Sequence, residues 1–314
     1  MDVLSDIFSA LRVEAGLYFS ASFKGDFAVR LAPELKRIRF HLVREGNCVV
    51  TVAGCPPVRL GRGDLVLIPH GAAQILSSLE DPGPALDLDA VLSRHPPVEG
   101  KLSFGDAGPA CILLCGFLGF DEALAHPVFG GLPEMIICPP AHGPLTEGTS
   151  MALDLLRAEA ENGQDGQQAI VLRTVEILLM QLLRAGRGVH RADADSFSAA
   201  LSDYRLARAL SAIHANPERP WNIGTLAAVA GMSRSRFAHR FNRLVGVAPM
   251  AYLTNWRMTR ARQLLQRPGL GMAEVAERCG YQSVPAFGRR FAAIFGTGPG
   301  KWRKQQRADA ENPT

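Results

Sequence analysis

The residues best suited to chemistry lie in the last third of the chain and come in pairs fifty positions apart. Ser233 recurs as Ser283, Phe237 as Phe287, Arg240 as Arg290, Phe241 as Phe291, Gly246 as Gly296 and Pro249 as Pro299. Phenylalanines at i and i+4, continued by Leu244 in the first copy and Ile294 in the second, mark the inward stripe of a helix. The first copy then shows Arg234, Ser235, Arg236, Ala238, His239, Arg240, Asn242 and Arg243 on its outside. The second shows Val284, Gly288, Arg289 and Arg290, with Pro285 tolerated in the first turn. Such a face suits a DNA major groove, where arginine hydrogen-bonds guanine and the helix N-terminal amides hold phosphate. Ser233, Arg234, Arg240, Arg243, Ser283 and Arg290 are the phosphate candidates, and Arg236 joins the base readers. Arg240 and Arg290, beside the buried rings, equally fit surface ion pairs. His239 belongs on DNA rather than in the core, because residues 237 and 241 already define the inward face.

A second set of reactive types is scattered over the chain. The cysteines Cys48, Cys55, Cys111, Cys115, Cys138 and Cys279 form no CxxC and read as thiols rather than a disulfide framework. Cys111 and Cys115, four apart on one strand, share a face and are the redox candidates. They stand about 13 Å apart along an extended strand, too far for a direct bond, so each needs a partner such as Cys48, Cys55 or Cys138. Buried inert thiols are the main expectation, and Cys279 reads as packing.

The repeated residues need helices to hold them. In the first copy Asn222 caps a short helix with Leu226, Val229 and Ala230 inward, Gly231 turns the chain, and Ser233 caps the next helix. In the second, Met272, Val275 and Ala276 precede Cys279-Gly280-Tyr281, and Ser283 is the cap. Between them Met250 to Gln266 reads as one helix with Ala251, Trp256, Ala261, Leu264 and Leu265 available for packing. About 17 residues span roughly 25 Å, enough to hold the helices Ser233 to Val245 and Ser283 to Phe295 in successive grooves about 34 Å apart. Charge agrees: residues 200–314 carry 18 Lys and Arg against 6 Asp and Glu, a net +12, while residues 1–199 are net −8.

At 314 residues, nearly half of them apolar, the chain suits two soluble domains. Residues from Phe23 to about Pro144 read as β-rich, with runs such as 37–43, 48–52, 65–68 and 111–115 set between Gly/Pro turns, as in a sandwich or barrel. From Gly148 the period changes to that of two amphipathic helices broken near Asn162-Gly163, and their apolar stripe suits a homodimer or their own barrel equally. The resulting division is 1–147 β-rich, 148–185 connecting helices, 186–199 linker, 200–307 helical and 308–314 disordered tail. No signal peptide or membrane-length apolar run is present, so a cytoplasmic location is expected.

The runs 231–241, 246–249, 257–265 and 275–283, with Phe287, Arg290-Phe291, Phe295-Gly296 and 299–303, resemble the AraC family of bacterial transcription regulators. By that resemblance base contacts fall on Ser235, Ala238 and His239 in the first unit and on Val284, Pro285, Gly288 and Arg289 in the second. Ala238 and Gly288 are smaller than the polar residues often found there. The run Gly63-Asp64-Leu65-Val66-Leu67-Ile68-Pro69-His70-Gly71 resembles the second motif of the cupin barrel. Metal-binding cupins place a histidine where this chain has Gln74, and two histidines and a glutamate where it has His41, Val43 and Glu45. Too few ligands converge, so no metal, cofactor or catalysis is expected. The resemblance implies an α+β multidomain fold: an N-terminal cupin-like β-barrel, connecting helices, and a C-terminal all-α domain with two helix-turn-helix units. It implies a regulator, expected to be an activator, that binds double-stranded promoter DNA and RNA polymerase, answers a small-molecule effector or stress, and forms a homodimer. The alternatives are a DNA-tethered cupin-type metalloenzyme, a thiol-based redox-sensing regulator, and an architectural DNA binder without a sensor.

Overall fold

The structure, a computed structural model, describes residues 2–11, 13–81, 83–105, 107–120, 126–138, 146–162, 164–189 and 196–311. In chain order the elements of the first part are α1 (Val3–Ala10), β1 (Val13–Lys24), β2 (Ala28–Leu31), β3 (Arg37–Glu45), β4 (Asn47–Val52), β5 (Val58–Gly61), β6 (Leu65–Ile68) and β7 (Gln74–Ser77). There follow β8 (Leu86–Asp87), α2 (Leu88–Arg94), β9 (Lys101–Phe104), β10 (Ala110–Phe120), α3 (Pro127–Gly130) and β11 (Ile136–Cys138). Helices complete the chain: α4 (Glu147–Asn162), α5 (Gln167–Val189), α6 (Phe197–Ser202), α7 (Tyr204–Ala215), α8 (Ile223–Ala230), α9 (Arg234–Val245), α10 (Pro249–Gln266), α11 (Met272–Arg278), α12 (Val284–Phe295) and α13 (Pro299–Glu311).

The chain divides into two compact units that are not contiguous in sequence. The β-rich unit holds residues 13–120 and 132–189. One sheet runs β11-β6-β3-β10-β1-β9 and the other β5-β4-β7-β2-β8. Val29, Val50 and Leu76 from one sheet and Ala21, Val43, Val66 and Leu113 from the other share a single core, as two facing sheets of a barrel require. Strand β3 is buried along almost its whole length because its second face is covered too, with α4 packed on β3 and α5 on β1. The strands exceed the apolar runs of the sequence, since β1 begins at Val13 and β10 continues to Phe120.

The second unit takes residues 190–314 together with the described residues 2–11 and 126–131. The boundary drawn at residue 147 therefore differs from the packing. Helix α1 lies on α7 and α10, and α3 on α6. A polar chain runs through this packing. His126 Nδ1 accepts from the Val128 amide at 3.1 Å, so its Nε2–H donates to the Tyr252 hydroxyl at 3.2 Å. That hydroxyl donates to His214 Nε2 at 2.8 Å, which leaves the His214 Nδ1 proton facing Asp6 at 3.7 Å. The linker also differs from the sequence reading: α5 continues to Val189, α6 starts at Phe197, and residues 190–195 of the expected linker lie outside the described residues. Likewise α13 runs through Glu311, into the segment expected to be a disordered tail, of which 312–314 lie outside the described residues.

Candidate nucleic-acid interface

Helices α8 and α9 form one helix-turn-helix, α11 and α12 another. Asn222 and Thr225 close a reciprocal cap at the start of α8, and Gly231 at φ 63° makes the left-handed turn. In α9, Phe237 and Phe241 are fully buried, and Leu244 and Val245 complete the inward face. In α12, Phe287 and Phe291 are fully buried in a cluster with Val275, Ala276, Cys279 and Trp302. Burial pushes the Cys279 thiol up to about 12, as packing without chemistry requires. Helix α10 joins the units with 18 residues, about 27 Å of rigid rod. Its anchors are Tyr252, Leu253, Trp256, Met258, Ala261, Leu264 and Leu265; Ala251, expected to pack, is exposed because Tyr252 and Leu253 occupy the inward positions beside it.

On the outer face of α9, Ser233, Arg234, Ser235, Arg236, His239, Asn242 and Arg243 are exposed, with Ala238 half-buried between them. Ser233 occupies the cap position, yet its side chain makes no cap hydrogen bond. The first amides of α9 thus keep unused donors beside Arg234 and Arg236. Arg234 also leans back over α8, its Nε 3.0 Å from where a Cβ on Gly224 would lie. Arg240 is turned away from this face: its guanidinium donates to Asp203, the residue that also caps α7 through the Arg205 and Leu206 amides. Burial works to raise the Asp203 pKa, but those amides and the Arg240 charge outweigh it and hold it below the usual value. Of the two roles open to Arg240, the geometry shows the ion pair rather than a phosphate contact.

The face of α12 is built from different chemistry. Ser283 does cap, accepting from the Ala286 amide at 3.3 Å. Val284 is 36% exposed on the first turn, an open apolar contact of the kind that meets a thymine methyl. Pro285, Arg289 and Arg290 are exposed, and a Cβ added at Gly288 would meet nothing within 4 Å, so the helix surface there is open. Arg290 stands beside the Tyr281 hydroxyl, whose pKa burial raises against the pull of Arg257 and Arg290.

The barrel interior carries the other polar residues. His41 is completely buried, with Nδ1 3.1 Å from Cys115 Sγ and Nε2 2.9 Å from the Gln74 amide nitrogen. Burial first, and then Arg39, lowers its pKa to about 3, against a smaller upward pull from Gln74, so the imidazole is neutral. Arg39, also buried, donates to the Ala32 carbonyl at 2.5 Å and approaches Glu34 at 3.4 Å, leaving its Nε and Nη1, like Gln74 Oε1, without a hydrogen-bond partner. Among the described residues no group of three or more His, Cys, Asp or Glu is placed to hold a metal. Cys111 meets a partner that sequence spacing left open: its thiol contacts Cys48 across the barrel. That contact, together with burial, raises the Cys48 pKa, while Cys48 lowers that of Cys111. Cys115 is bound to His41 instead, and burial raises its pKa.

Residues 2–186 match the Cupin family, and residues 226–305 match a helix-turn-helix domain family. An AraC-like transcription regulator of Streptomyces lividans is 30% identical over 308 residues, spanning 97% of this chain and 98% of the relative. The transcriptional regulator AlkR of Acinetobacter baylyi is 29% identical over 316 residues, 97% of this chain and all of the relative. Among solved structures, the DNA-binding domain of AdpA, a global transcriptional factor in complex with a target DNA, is 37% identical; the match covers 31% of this chain and 86% of that one with a TM-score of 0.30. Among the described residues no helix is long and apolar enough to cross a membrane.

Proposed function

The chain belongs to the AraC-like family of DNA-binding transcription regulators, with a cupin domain ahead of its helix-turn-helix domain, and from that membership we propose that α9 and α12 enter successive major grooves of promoter DNA. It is a regulator rather than an enzyme, as its relatives are. One observation carries the proposal: two helices fifty residues apart bury matching phenylalanine pairs and leave their outer faces open, on units joined by a single rigid helix. In this reading Ser235, Arg236, Ala238 and His239 read bases in one groove, and Val284, Pro285, Gly288 and Arg289 in the next. Ser233, Arg234, Arg243, Ser283 and Arg290 hold phosphates. The regulator acts in the cytoplasm as an activator that contacts RNA polymerase. The partnerless polar atoms of Arg39 and Gln74 support a barrel that receives a small-molecule effector. The exposed Met151, Leu155, Ile170 and Ile177 on α4 and α5 support a homodimer.

The test is binding of the full chain to a duplex that it selects from a random-sequence library. His239→Ala and Arg289→Ala should each weaken binding to that duplex by ~1–3 kcal/mol, with a smaller loss on random DNA. Equal losses on both would remove these residues from base reading.

The Cys48–Cys111 contact favours a second reading, in which the sensed signal is an oxidant. Two thiols and one hydrogen peroxide give one disulfide and two waters: peroxide oxidises one thiol to a sulfenic acid with release of water, and the other thiol displaces a second water from it. Peptide mapping after peroxide treatment should find the 48–111 pair linked. Unchanged thiols at doses that alter DNA binding would reject this reading.

A further inference from the structure

Arg257 lies midway along α10, half-buried, and its guanidinium is shared by both helix-turn-helix units. On one side Nε donates to the Pro217 carbonyl at 2.7 Å and Nη2 to the Arg219 carbonyl at 2.8 Å. Both carbonyls belong to the loop that leads from α7 into α8, the entrance to the first unit. On the other side lies the turn of the second unit. A Cβ added to Gly280 would stand 2.6 Å from Nη2 and 2.8 Å from the Glu218 carbonyl, and the guanidinium carbon is 5.9 Å from the centre of the Tyr281 ring. Gly280, at φ 75°, is the left-handed turn between α11 and α12. The entry loop of one unit, the side chain of the connecting helix and the turn of the other unit therefore meet at one packed point.

A helix fixes the distance between the bodies at its ends, but each body can still swivel about its junction with the helix. A contact away from the helix axis removes that freedom. The planar guanidinium suits the task, because its donors lie in a rigid fork and two carbonyls fix its orientation. We infer that Arg257 is a positioning residue that sets the rotation of α12 relative to α9, and through it the spacing of the two DNA segments the chain accepts. The inference rests on the reading that both helices enter grooves.

The experiment compares wild-type full chain with Arg257→Lys and Arg257→Gln on the duplex selected by the wild type, with its native spacing and with one base pair inserted between the two contacted segments. One base pair shifts the second segment by about 3.4 Å and about a tenth of a turn. The wild type should lose on the order of 100-fold in affinity on insertion. Both variants should bind the native duplex about tenfold more weakly and lose less than about fivefold more on insertion, because part of their binding free energy already goes into orienting the units. A duplex carrying one segment should be bound equally by all three. Lysine keeps the charge but cannot form the fork, so full recovery by Arg257→Lys would mark a phosphate contact and overturn the inference. Helix content and melting temperature confirm folding, and if Arg257→Gln does not fold, Arg257→Lys alone carries the test. Equal insertion penalties in wild type and Arg257→Lys would overturn the positioning role. A wild type indifferent to insertion would overturn the two-groove reading beneath it.

Discussion

Arg240 and Arg290 hold equivalent positions in the repeat and live in different surroundings. Arg240 is tied to Asp203, 37 residues earlier in sequence, while Arg290 remains exposed. The two serines at the helix starts diverge as well. Ser283 satisfies an α12 amide, so Ser283→Ala should destabilise the helical unit by ~1 kcal/mol in urea unfolding. Ser233 makes no such bond, so Ser233→Ala should leave stability within about 0.5 kcal/mol while lowering DNA affinity. The opposite ranking of the two serines would contradict this assignment. Outward and inward residues of α9 and α12 could be read from the spacing of their phenylalanines, because a helix imposes that order locally. The Asp203 partner could not, since nothing near Arg240 in sequence points to it.

At the scale of elements, the two turns test how tightly each helix-turn-helix is built. Gly231, at φ 63°, would place an added Cβ in open space, so Gly231→Ala pays only the left-handed strain of about 1–2 kcal/mol. Gly280→Ala adds a clash with Arg257 and the Glu218 carbonyl and should cost clearly more in urea unfolding. Equal costs would mean that the packed point around Arg257 is loose. The helix-turn-helix pairs, the long α10 and strands such as β6 were legible because each depends on local periodicity and turn residues. The placement of α1 and α3 on the C-terminal helices was not. It depends on contacts between residues 6 and 214 and between 126 and 252, and no local pattern records a contact of that range. The Cys48–Cys111 contact was hidden for the same reason, being made between strands of different sheets.

At the scale of the molecule, both units bury neutral histidines. Burial lowers His41 in the β-rich unit and His126 and His214 in the helical unit to about 3; Arg39 adds to the effect at His41, and the His126 and Arg260 charges add to it at His214. The unfolded chain binds these protons near pH 6.5 and the folded chain refuses them. Stability from this source is therefore complete above about pH 6.5 and is lost as pH falls toward 3, by ~1.4 kcal/mol per pH unit for each histidine. Urea midpoints of both units should drop between pH 7 and pH 5, and constant midpoints would show that the histidines are solvated. The charge division of the chain, net +12 over residues 200–314, matches a molecule that meets DNA through its helical unit. The most direct measurement of that claim is a hydroxyl-radical footprint of the full chain on its selected duplex. Two protected patches on one face of the DNA, about one helical turn apart, are the predicted result, with Arg289→Ala weakening one patch and His239→Ala the other. A single patch, or patches that both variants weaken alike, would contradict it.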